Sequence, residues 1–296
     1  MQTDPNEVIH LLCAADRRYG AYAGIMFSSM LHNNPGAAFH LHLLSDGIRN
    51  ADLRRIGRLA RRAGSALSVY DVRRKLTGFS GPAGYHLNRT AYARLLVGGV
   101  LPTAVRHVIY LDCDVICTGP IGALWRLAPE IPILGAVRDR AGAGWKARLG
   151  LPPEASYFNT GVLVINVAGW AQLGIGERLA AWVVQNADRV ALADQDAINA
   201  CLQERITPLP ECWNLQIGSD SGSLPESRLG GAVLLHYTST PKPWRFRFAG
   251  LGAEIFRNAK RRSPWRFKPP AFQFSYRLRK SVDKRLRARR LAPFRR

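Results

Sequence analysis

Residues 107–119 read HVIYLDCDVICTG, an apolar run that leads into two aspartates separated by one residue. The run VIYL is typical of a strand that is buried on both faces of a sheet. Because successive side chains of a strand point to opposite faces, Asp112 and Asp114 are predicted to face one side and Cys113 the other. Open α/β sheets bind their ligands at the carboxyl ends of the strands. The stretch therefore predicts a strand that presents two carboxylates to a ligand.

The segments around this strand alternate between short apolar runs, which predict strands, and longer amphipathic segments, which predict helices. Besides the quoted stretch, the predicted strands are 7–16, 38–47, 65–72, 131–139, 158–167 and 232–237. The predicted helices are 19–32, 50–63, 90–102, 170–186 and 194–204, and a glycine-rich loop is predicted over 73–89. This alternation forms βαβ units. The fold class is therefore predicted to be α/β, with a mostly parallel central sheet that continues through residue 237 and is flanked by helices.

The positive charge is concentrated at the end of the chain. The net charge is +21, and residues 257–296 contribute 16 basic side chains and a single acid, Asp283. Aromatic and leucine side chains are interleaved with Lys and Arg from residue 272 onward, a composition typical of segments that bind anionic membranes. We predict a folded domain over residues 1–256 and a basic, amphipathic, helical tail over 257–296 that attaches to a membrane surface. A solvated charge run and an RNA-binding arm are the alternatives.

Several classes of protein are disfavoured. No apolar stretch is long enough for a transmembrane helix, and the first residues, MQTDPNEVIH, lack the basic region of a signal peptide. Five cysteines without a CxxC pair predict reduced thiols in a cytosolic protein and argue against a cysteine-based zinc site. The GxxxxGK[ST], GxGxxG and GxSxG motifs are absent, which argues against P-loop, dinucleotide-binding and α/β-hydrolase proteins.

Asp112 and Asp114 are candidate metal ligands, because a divalent cation is the simplest way to keep two neighbouring carboxylates ionised. His236 ends another apolar run, AVLLHY (232–237), and an imidazole added to two carboxylates favours Mn²⁺ over Mg²⁺. Lys242 follows in HYTSTPKPW (236–244), where it would face phosphates that such a metal bridges. The alternatives are an aspartate that caps a turn beside a solvated neighbour, and a histidine that is only a satisfied polar group.

Seven segments occur in the order and spacing of glycosyltransferase family 8. They are CAAD (13–16), NRTAYARL (88–95), VIYLDCDVI (108–116), LGAVRD (134–139), YFNTGVLVIN (157–166), DQDAIN (194–199) and HYTSTPKPW (236–244). Over residues 8–255 the chain resembles the retaining, metal-dependent GT-A enzymes of this family, and most of all the bacterial lipooligosaccharide and lipopolysaccharide galactosyl- and glucosyltransferases. The resemblance implies a GT-A catalytic domain over residues 1–256. It also implies transfer of a hexose from a UDP-sugar to a glycan or lipid-linked glycan acceptor.

The resemblance assigns roles to individual residues. Asp112, Asp114 and His236 correspond to ligands of Mn²⁺, with Mg²⁺ as a possible substitute. The residues implied to contact the uridine or the nucleotide sugar are Ala14, Asp16, His86 and Arg94. Those implied to bind the transferred sugar or the diphosphate are Asp139, Asn159 and Lys242, and those implied to lie near the anomeric carbon, as the catalytic pair, are Asp194 and Gln195.

Some of these residues have simpler explanations when taken singly. Asp194 suits a helix N-cap, Asn159 a turn at the start of a strand, and Arg94 the surface of an amphipathic helix. The chain also departs from the family in two places. Arg18 stands where relatives often have a small polar residue, and Ser239-Thr240 replaces the usual glycine between the histidine and the lysine.

The implied reaction retains the anomeric configuration by same-face attack, in which the acceptor hydroxyl enters while UDP leaves. A double displacement would need a nucleophile; Gln195 is a poor one and Asp194 is a candidate by type only. The family context places the protein in the cytoplasm, peripheral on the inner face of the bacterial cytoplasmic membrane, with no nucleic acid as partner. The alternatives are a glycogenin-like glucosyltransferase acting on a protein or soluble glycan, and a nucleic-acid-binding protein that uses its basic tail.

Overall fold

A computed structural model describes residues 8–79, 89–218, 227–245, 248 and 251–269. The strands among them are β1 Val8–Asp16, β2 Ala38–Asp46, β3 Ala66–Asp71, β4 His107–Leu111, β5 Val115–Cys117, β6 Leu134–Arg138, β7 Phe158–Asn166, β8 Ile206–Pro208, β9 Leu215–Gln216 and β10 Leu234–His236. The larger sheet has seven strands in the order β3-β2-β1-β4-β7-β6-β8, and the smaller sheet has three in the order β5-β10-β9.

The larger sheet is mostly parallel. β3, β2, β1 and β4 run parallel to one another, and β8 is parallel to β6. β7 is antiparallel to both of its neighbours, β4 and β6. The prediction of a mostly parallel central sheet is confirmed.

The smaller sheet corrects the prediction that the main sheet continues through residue 237. The segment 232–237 does form a strand, β10, but this strand pairs antiparallel with β5 and parallel with β9. The physical reason is a change of direction after β4. The chain turns at Asp112–Asp114 and leaves the large sheet, so β5 becomes the partner of β10 instead of a continuation of β4.

The helices cover both faces of the large sheet. They are α1 Gly20–Asn33, α2 Asn50–Arg62, α3 Val97–Val100, α4 Gly122–Arg126, α5 Gly142–Leu149, α6 Val167–Gln172, α7 Ile175–Gln185, α8 Asp194–Cys201, α9 Ser227–Gly231 and α10 Ala253–Arg262. Buried apolar side chains form two clusters: one contains Ile9, Leu11 and Cys13, the other Leu12 and Leu44. A sheet that is covered on both faces explains why its strands are continuous apolar runs.

Two of the predicted helices were wrong in part. The segment 90–102 is a 3₁₀ helix over Arg89–Leu96 followed by the short α3, because Gly98 and Gly99 disfavour a longer α-helix and the Leu95 carbonyl accepts a hydrogen bond from Trp170 Nε1 (3.3 Å). The segment 170–186 is divided between α6 and α7 at Gly174, whose φ of 56° interrupts the helix.

The folded part of the chain extends beyond the predicted boundary at residue 256. That position lies inside α10, and Trp265 beyond the helix is buried, at 2% exposed. Its Nε1 donates to Asp52 Oδ1 (2.8 Å), and its ring occupies the space where a Cβ at Gly24 would lie. The contacts of Trp265 with α1 and α2 therefore belong to the core. None of the described helices has the length and apolar character needed to cross a membrane.

Candidate active site

The two aspartates of the quoted stretch lie where the chain passes from the large sheet to the small one. The Asp112 amide donates to the Gly161 carbonyl (2.8 Å), and the Asp114 carbonyl accepts from the Tyr237 amide (3.0 Å). These two bonds connect the turn to β7 and to the end of β10. Cys113 points the other way, with its Sγ 3.2 Å from the Ala14 carbonyl. The turn thus separates the carboxylates from the thiol, as strand alternation predicted, although Asp112–Asp114 are not in a strand.

Asp112, Asp114 and His236 form a cluster that can hold one cation. One ligand atom from each lies within 4.8 Å of the others. His236 Nε2 is 3.3 Å from Asp114 Oδ1 and 3.8 Å from Asp112 Oδ2. Neighbouring ligands of an octahedral metal are about 3 Å apart when each lies about 2.1 Å from the ion. Two hard oxygens and one imidazole at these separations therefore fit a divalent ion such as Mn²⁺ or Mg²⁺.

A chain of two asparagines orients the imidazole of His236. The Asn214 side-chain amide donates to Asn159 Oδ1 (2.9 Å), which leaves Asn214 Oδ1 facing His236 Nδ1 at 3.1 Å. Nδ1 must then carry the proton, because the facing oxygen can only accept a hydrogen bond. The lone pair lies on Nε2, which faces Asp112 and Asp114. An imidazole whose other nitrogen donates a hydrogen bond is the usual arrangement of a histidine that binds a metal.

Gly161 on β7 leaves room for this imidazole. A Cβ at that position would lie 2.0 Å from His236 Cε1, which is far inside van der Waals contact. Asn159 Oδ1 also accepts from the Gly161 amide (3.0 Å), so the backbone is held close to the ring. Any side chain at position 161 must therefore displace His236.

We expect Gly161→Ala to weaken Mn²⁺ binding by at least about tenfold, because the added methyl group moves Nε2 away from the two carboxylates. Isothermal titration with Mn²⁺ measures the change. Gly99→Ala is the matched control, since a Cβ there meets nothing within 4 Å. Equal Mn²⁺ affinity in the two folded variants would show that His236 is not a ligand.

Arg94 is a buried cation between two carboxylates. Its Nη2 is 2.9 Å from Asp112 Oδ1, and its Nε is 2.9 Å from Asp194 Oδ2. The guanidinium also donates to the Thr160 carbonyl and stacks over the Tyr110 ring, 4.3 Å from its centroid. Burial disfavours the charged form, but the two carboxylates outweigh it and raise the pKa of Arg94. At 4% exposed, Arg94 is not the surface residue of an amphipathic helix.

Lys242 binds the carboxylate of Asp114. Its Nζ donates to Asp114 Oδ2 and to the Tyr237 carbonyl, each at 2.6 Å. Burial by itself raises the pKa of the Asp114 carboxyl, but Lys242 and His236 outweigh it and hold that pKa well below its usual range. Asp114 is therefore ionised at neutral pH, as a metal ligand must be.

A second group of polar side chains lines the cleft beside the cation cluster. Asp139 Oδ2 accepts from Asn159 Nδ2 (3.0 Å) and from Gln195 Nε2 (3.2 Å). Gln195 Oε1 accepts from the Thr160 amide (3.1 Å). Asp194 is the first residue of α8, and its Oδ2 accepts from Thr160 Oγ1 (3.0 Å). These bonds connect β6, β7 and α8 into one wall of hydrogen-bonding groups.

The carboxyl group of Asp194 is deeply buried, at 2% exposed. Burial raises its pKa to about 7, against the opposing effect of Arg94. Ala193 before it has a φ of 54°, a conformation that costs a non-glycine residue about 1–3 kcal/mol and is concentrated at functional sites. The N-cap position of α8 is Ala193, so the suggestion that Asp194 merely caps this helix is wrong.

Ala14 and Asp16 line the opposite part of the cleft. Asp16 is the last residue of β1, and its Oδ1 accepts from the amides of Arg18 (2.7 Å) and Tyr19 (2.9 Å). The Arg18 side chain is 73% exposed and ion-paired with Asp16 at 3.3 Å. His86 lies outside the described residues.

The cleft has two connected parts. One, of about 450 Å³, is lined by Asp139, Asn159, Asp194 and Gln195; the other, of about 150 Å³, is lined by Ala14 and Asp16. Arg94, Asp112, Asp114 and Lys242 line both parts. The two carboxylates of the cation cluster and the lysine thus lie between two chambers, whereas His236 lines only the larger one. This arrangement can hold the charged centre of a ligand with a different group on each side.

Comparison with known proteins identifies the family. The profile described as Glycosyl transferase family 8 matches residues 10–247. The chain belongs to glycosyl transferase family 8. One of its relatives is the lipopolysaccharide glucosyltransferase WaaO of Escherichia coli, which is 26% identical over 88% of this chain and 80% of that protein. Another is the lipopolysaccharide 1,3-galactosyltransferase of Salmonella typhimurium, 27% identical over 84% of this chain and 77% of that protein.

The fold agrees with that of a solved galactosyltransferase. The crystal structure of the galactosyltransferase LgtC in complex with donor and acceptor sugar analogs superimposes with a TM-score of 0.75. The two chains are 25% identical, and the match covers 92% of this chain and 99% of LgtC. The prediction of a family 8 chain with a GT-A fold is confirmed.

Sequence reasoning missed three residues of this family 8 site. Asn214 fixes the imidazole, Tyr110 donates to Asp112 Oδ1 (2.9 Å), and Thr160 contacts Asp194 and Gln195. Tyr110 had a usable signal, because it precedes Asp112 by two residues and therefore faces the same side. Thr160 lies inside the segment YFNTGVLVIN. Asn214 has no local signal, since its role depends on the folding of β9 against β10.

Proposed function

We propose that the chain is a metal-dependent, retaining hexosyltransferase that moves galactose or glucose from a UDP-sugar to a glycan acceptor. The main support for this activity is the cluster of Asp112, Asp114 and His236 beside Lys242, where the two chambers meet. Family membership and the similarity to lipopolysaccharide glucosyl- and galactosyltransferases support a role in lipopolysaccharide, lipooligosaccharide or other cell-surface glycan synthesis.

Asp112, Asp114 and His236 would hold Mn²⁺, with Mg²⁺ as an alternative. The ion, when bound, supplies positive charge that stabilises the diphosphate as it departs. Lys242 would add a fixed cation to the same diphosphate. Lys242 Nζ is hydrogen-bonded to Asp114 Oδ2 in this structure. When the UDP-sugar binds, the ammonium group would therefore donate hydrogen bonds both to that carboxylate and to a phosphate oxygen.

The two chambers would bind the two ends of the donor. Ala14 and Asp16 would bind the uridine, and His86, which lies outside the described residues, would reach the nucleotide sugar. Asp139, Asn159 and Gln195 would bind hydroxyls of the transferred sugar, since the network already presents amide donors and a carboxylate acceptor on one wall. Arg94 would act indirectly, by holding the carboxylates of Asp112 and Asp194 in place.

Retention by same-face attack is supported by the state of Asp194. Its carboxylate accepts from Thr160, is ion-paired with Arg94 and has 3% of its side chain exposed. A nucleophile for double displacement would have to leave these partners to reach the anomeric carbon. The acceptor hydroxyl would then enter on the face that UDP leaves, and its proton would pass to the leaving phosphate.

We further propose that the protein acts at the cytoplasmic face of the membrane, to which the basic tail would attach it. This placement brings the cleft to a lipid-linked acceptor. The tail beyond residue 269 lies outside the described residues, and its sequence alone supports this part of the proposal.

A thermal-shift screen tests the proposed donor. UDP-galactose, UDP-glucose, UDP-GlcNAc and GDP-sugars are compared with and without Mn²⁺. We expect a UDP-hexose to raise Tm by several degrees only when Mn²⁺ is present, because a ligand at about 100 times its Kd stabilises the fold by about 2.7 kcal/mol. If no UDP-sugar shifts Tm while RNA binds tightly, the nucleic-acid-binding alternative replaces the proposal.

A further inference from the structure

Three histidines on the large sheet are not used by the proposed function. His10 lies on β1, and His40 and His42 lie on β2, in strands whose other residues are apolar until their carboxyl ends. His10 is paired in parallel register with His40. Because His40 and His42 are two residues apart in the same strand, all three imidazoles project from one face of the sheet.

The three rings lie close together, and the rings of His10 and His40 each stack on that of His42, with centroids 5.2 Å and 4.1 Å apart. One ring nitrogen from each lies within 4.8 Å of the others, and His10 Nδ1 is 2.9 Å from His42 Nε2. Ligand nitrogens of a tetrahedral zinc site lie about 2.0–2.1 Å from the ion, which places them about 3.3 Å apart. The separation of 2.9 Å between His10 Nδ1 and His42 Nε2 is shorter than this value, and the His40 and His42 rings are stacked with centroids 4.1 Å apart, so the side chains must rotate to direct three nitrogens at one ion.

Residues of β3 hold the outer nitrogens of two of the rings. His42 Nδ1 is 3.0 Å from the Tyr70 hydroxyl, and His40 Nε2 is 2.8 Å from Ser68 Oγ. These contacts occupy His42 Nδ1 and His40 Nε2, so His42 Nε2 and His40 Nδ1 are the nitrogens left for an ion. A hydrogen bond at the outer nitrogen is the arrangement that orients a histidine toward a metal.

The surroundings keep the imidazoles neutral, as metal ligands must be. Burial, and then the neighbouring His40, lowers the pKa of His10 to about 4. Burial, and then His40 and His10, lowers the pKa of His42 to about 3, and burial also lowers the pKa of His40. His42 is buried, whereas His10 and His40 are half-buried. An ion and a water molecule can therefore reach the cluster from the solvent side.

We propose that His10, His40 and His42 bind one borderline transition-metal ion, of the class of Zn²⁺, Co²⁺ or Ni²⁺, with water as a further ligand. An all-imidazole set favours these ions over Mg²⁺ and Mn²⁺, which prefer oxygen. The site is separate from the Asp112–Asp114–His236 cluster. His10 precedes Asp16, at the carboxyl end of β1, by six residues, or about 20 Å of strand.

The competing explanation is a hydrogen-bonded chain from His10 through His42 to Tyr70 that only satisfies buried polar groups. Such a chain needs no ion and gains nothing from one. The two explanations therefore differ in whether the folded protein binds a metal through imidazole nitrogens.

The test uses the full-length protein after removal of metals with a chelator, in excess Mg²⁺ to occupy the carboxylate cluster. Co²⁺ is the probe, because its visible absorption reports coordination by nitrogen. We expect one equivalent of Co²⁺ to give the bands of a four- or five-coordinate site and to be displaced by Zn²⁺. His40→Gln and His10→Gln are each expected to weaken binding by at least about tenfold. Zn²⁺ should raise Tm of the unaltered protein but not of these variants.

Two controls separate this site from the rest of the chain. His107→Gln changes a half-buried histidine outside the cluster, and Asp112→Asn alters the carboxylate cluster; both are expected to leave the Co²⁺ bands unchanged. Circular dichroism verifies that each variant is folded. If His40→Gln does not fold, the Co²⁺ spectrum of His10→Gln tests the proposal instead. Absence of the bands, their persistence in a folded histidine variant, or their loss in Asp112→Asn would overturn the proposal in favour of the hydrogen-bonded chain.

Discussion

Asp114→Asn is expected to lower the rate of hexose transfer by about 100- to 1000-fold, the range seen when one fixed stabilising group is removed from an active site. The amide keeps the shape of the carboxylate but loses the charge that, in the proposed function, binds both the cation and Lys242. Asp114 is the residue at which His236 Nε2 (3.3 Å) and Lys242 Nζ (2.6 Å) meet. The loss should appear in kcat and in Mn²⁺ affinity together.

The fold should survive this substitution, because Asp114 lies in a turn between two sheets and not among the apolar side chains of the core. Its backbone bond to the Tyr237 amide (3.0 Å) does not involve the side chain. Asp71→Asn is the matched control, since Asp71 ends β3 with 57% of its side chain exposed. Near-normal transfer by folded Asp114→Asn, in an assay where Asp71→Asn is also active, would contradict the assignment of the metal site.

The local patterns of the sequence were sufficient to predict six of the seven strands of the large sheet, whereas the three-residue β8 was not predicted. β1 and β2 were predicted as 7–16 and 38–47 and are observed as Val8–Asp16 and Ala38–Asp46. A strand that is buried on both faces needs apolar side chains on both, so it appears as a continuous apolar run bounded by polar residues. Such a run can be recognised from the local sequence alone. The α/β class could be predicted for the same reason, whereas the GT-A fold was predicted from the resemblance carried by the family 8 segments.

The parts that could not be predicted depend on contacts between distant segments. The separation of β10 from the large sheet follows from its pairing with β5. The local sequence of neither strand indicates which other strand it pairs with. The position of Arg94 depends on carboxylates from two other elements. From its own segment, TAYARLL, a surface helix was an equally good prediction. The roles of the site residues stay predictions until variants are assayed.

Removal of the basic tail is expected to abolish binding to anionic vesicles without loss of donor turnover. The structure decides where the chain can be cut. Truncation after Lys260 removes Trp265, whose ring contacts Gly24 and whose Nε1 donates to Asp52 (2.8 Å). Loss of a buried tryptophan lowers the free energy of unfolding by about 3–5 kcal/mol. The effect of this truncation on vesicle binding could therefore come from unfolding instead of from removal of the tail.

Truncation after Lys268 keeps Trp265 and removes ten basic side chains and Asp283. Each basic residue near an anionic surface contributes about 1 kcal/mol to membrane binding. We therefore expect the partition of the protein onto phosphatidylserine vesicles at low salt to fall by at least about 100-fold. Hydrolysis of UDP-hexose with Mn²⁺ should stay within about twofold of the full chain, because the described cleft contains no residue beyond Lys242.

Two comparisons make this result specific to charge. The full chain should bind phosphatidylserine vesicles less tightly as salt increases, since counterions screen the attraction over about 10 Å at 0.1 M, and it should bind neutral phosphatidylcholine vesicles weakly at any salt concentration. A protein truncated after Lys268 that still binds anionic vesicles as the full chain does would place the membrane contact on the folded domain. Equal loss of RNA binding and vesicle binding on truncation would show that the tail binds polyanions in general and is not specific for membranes.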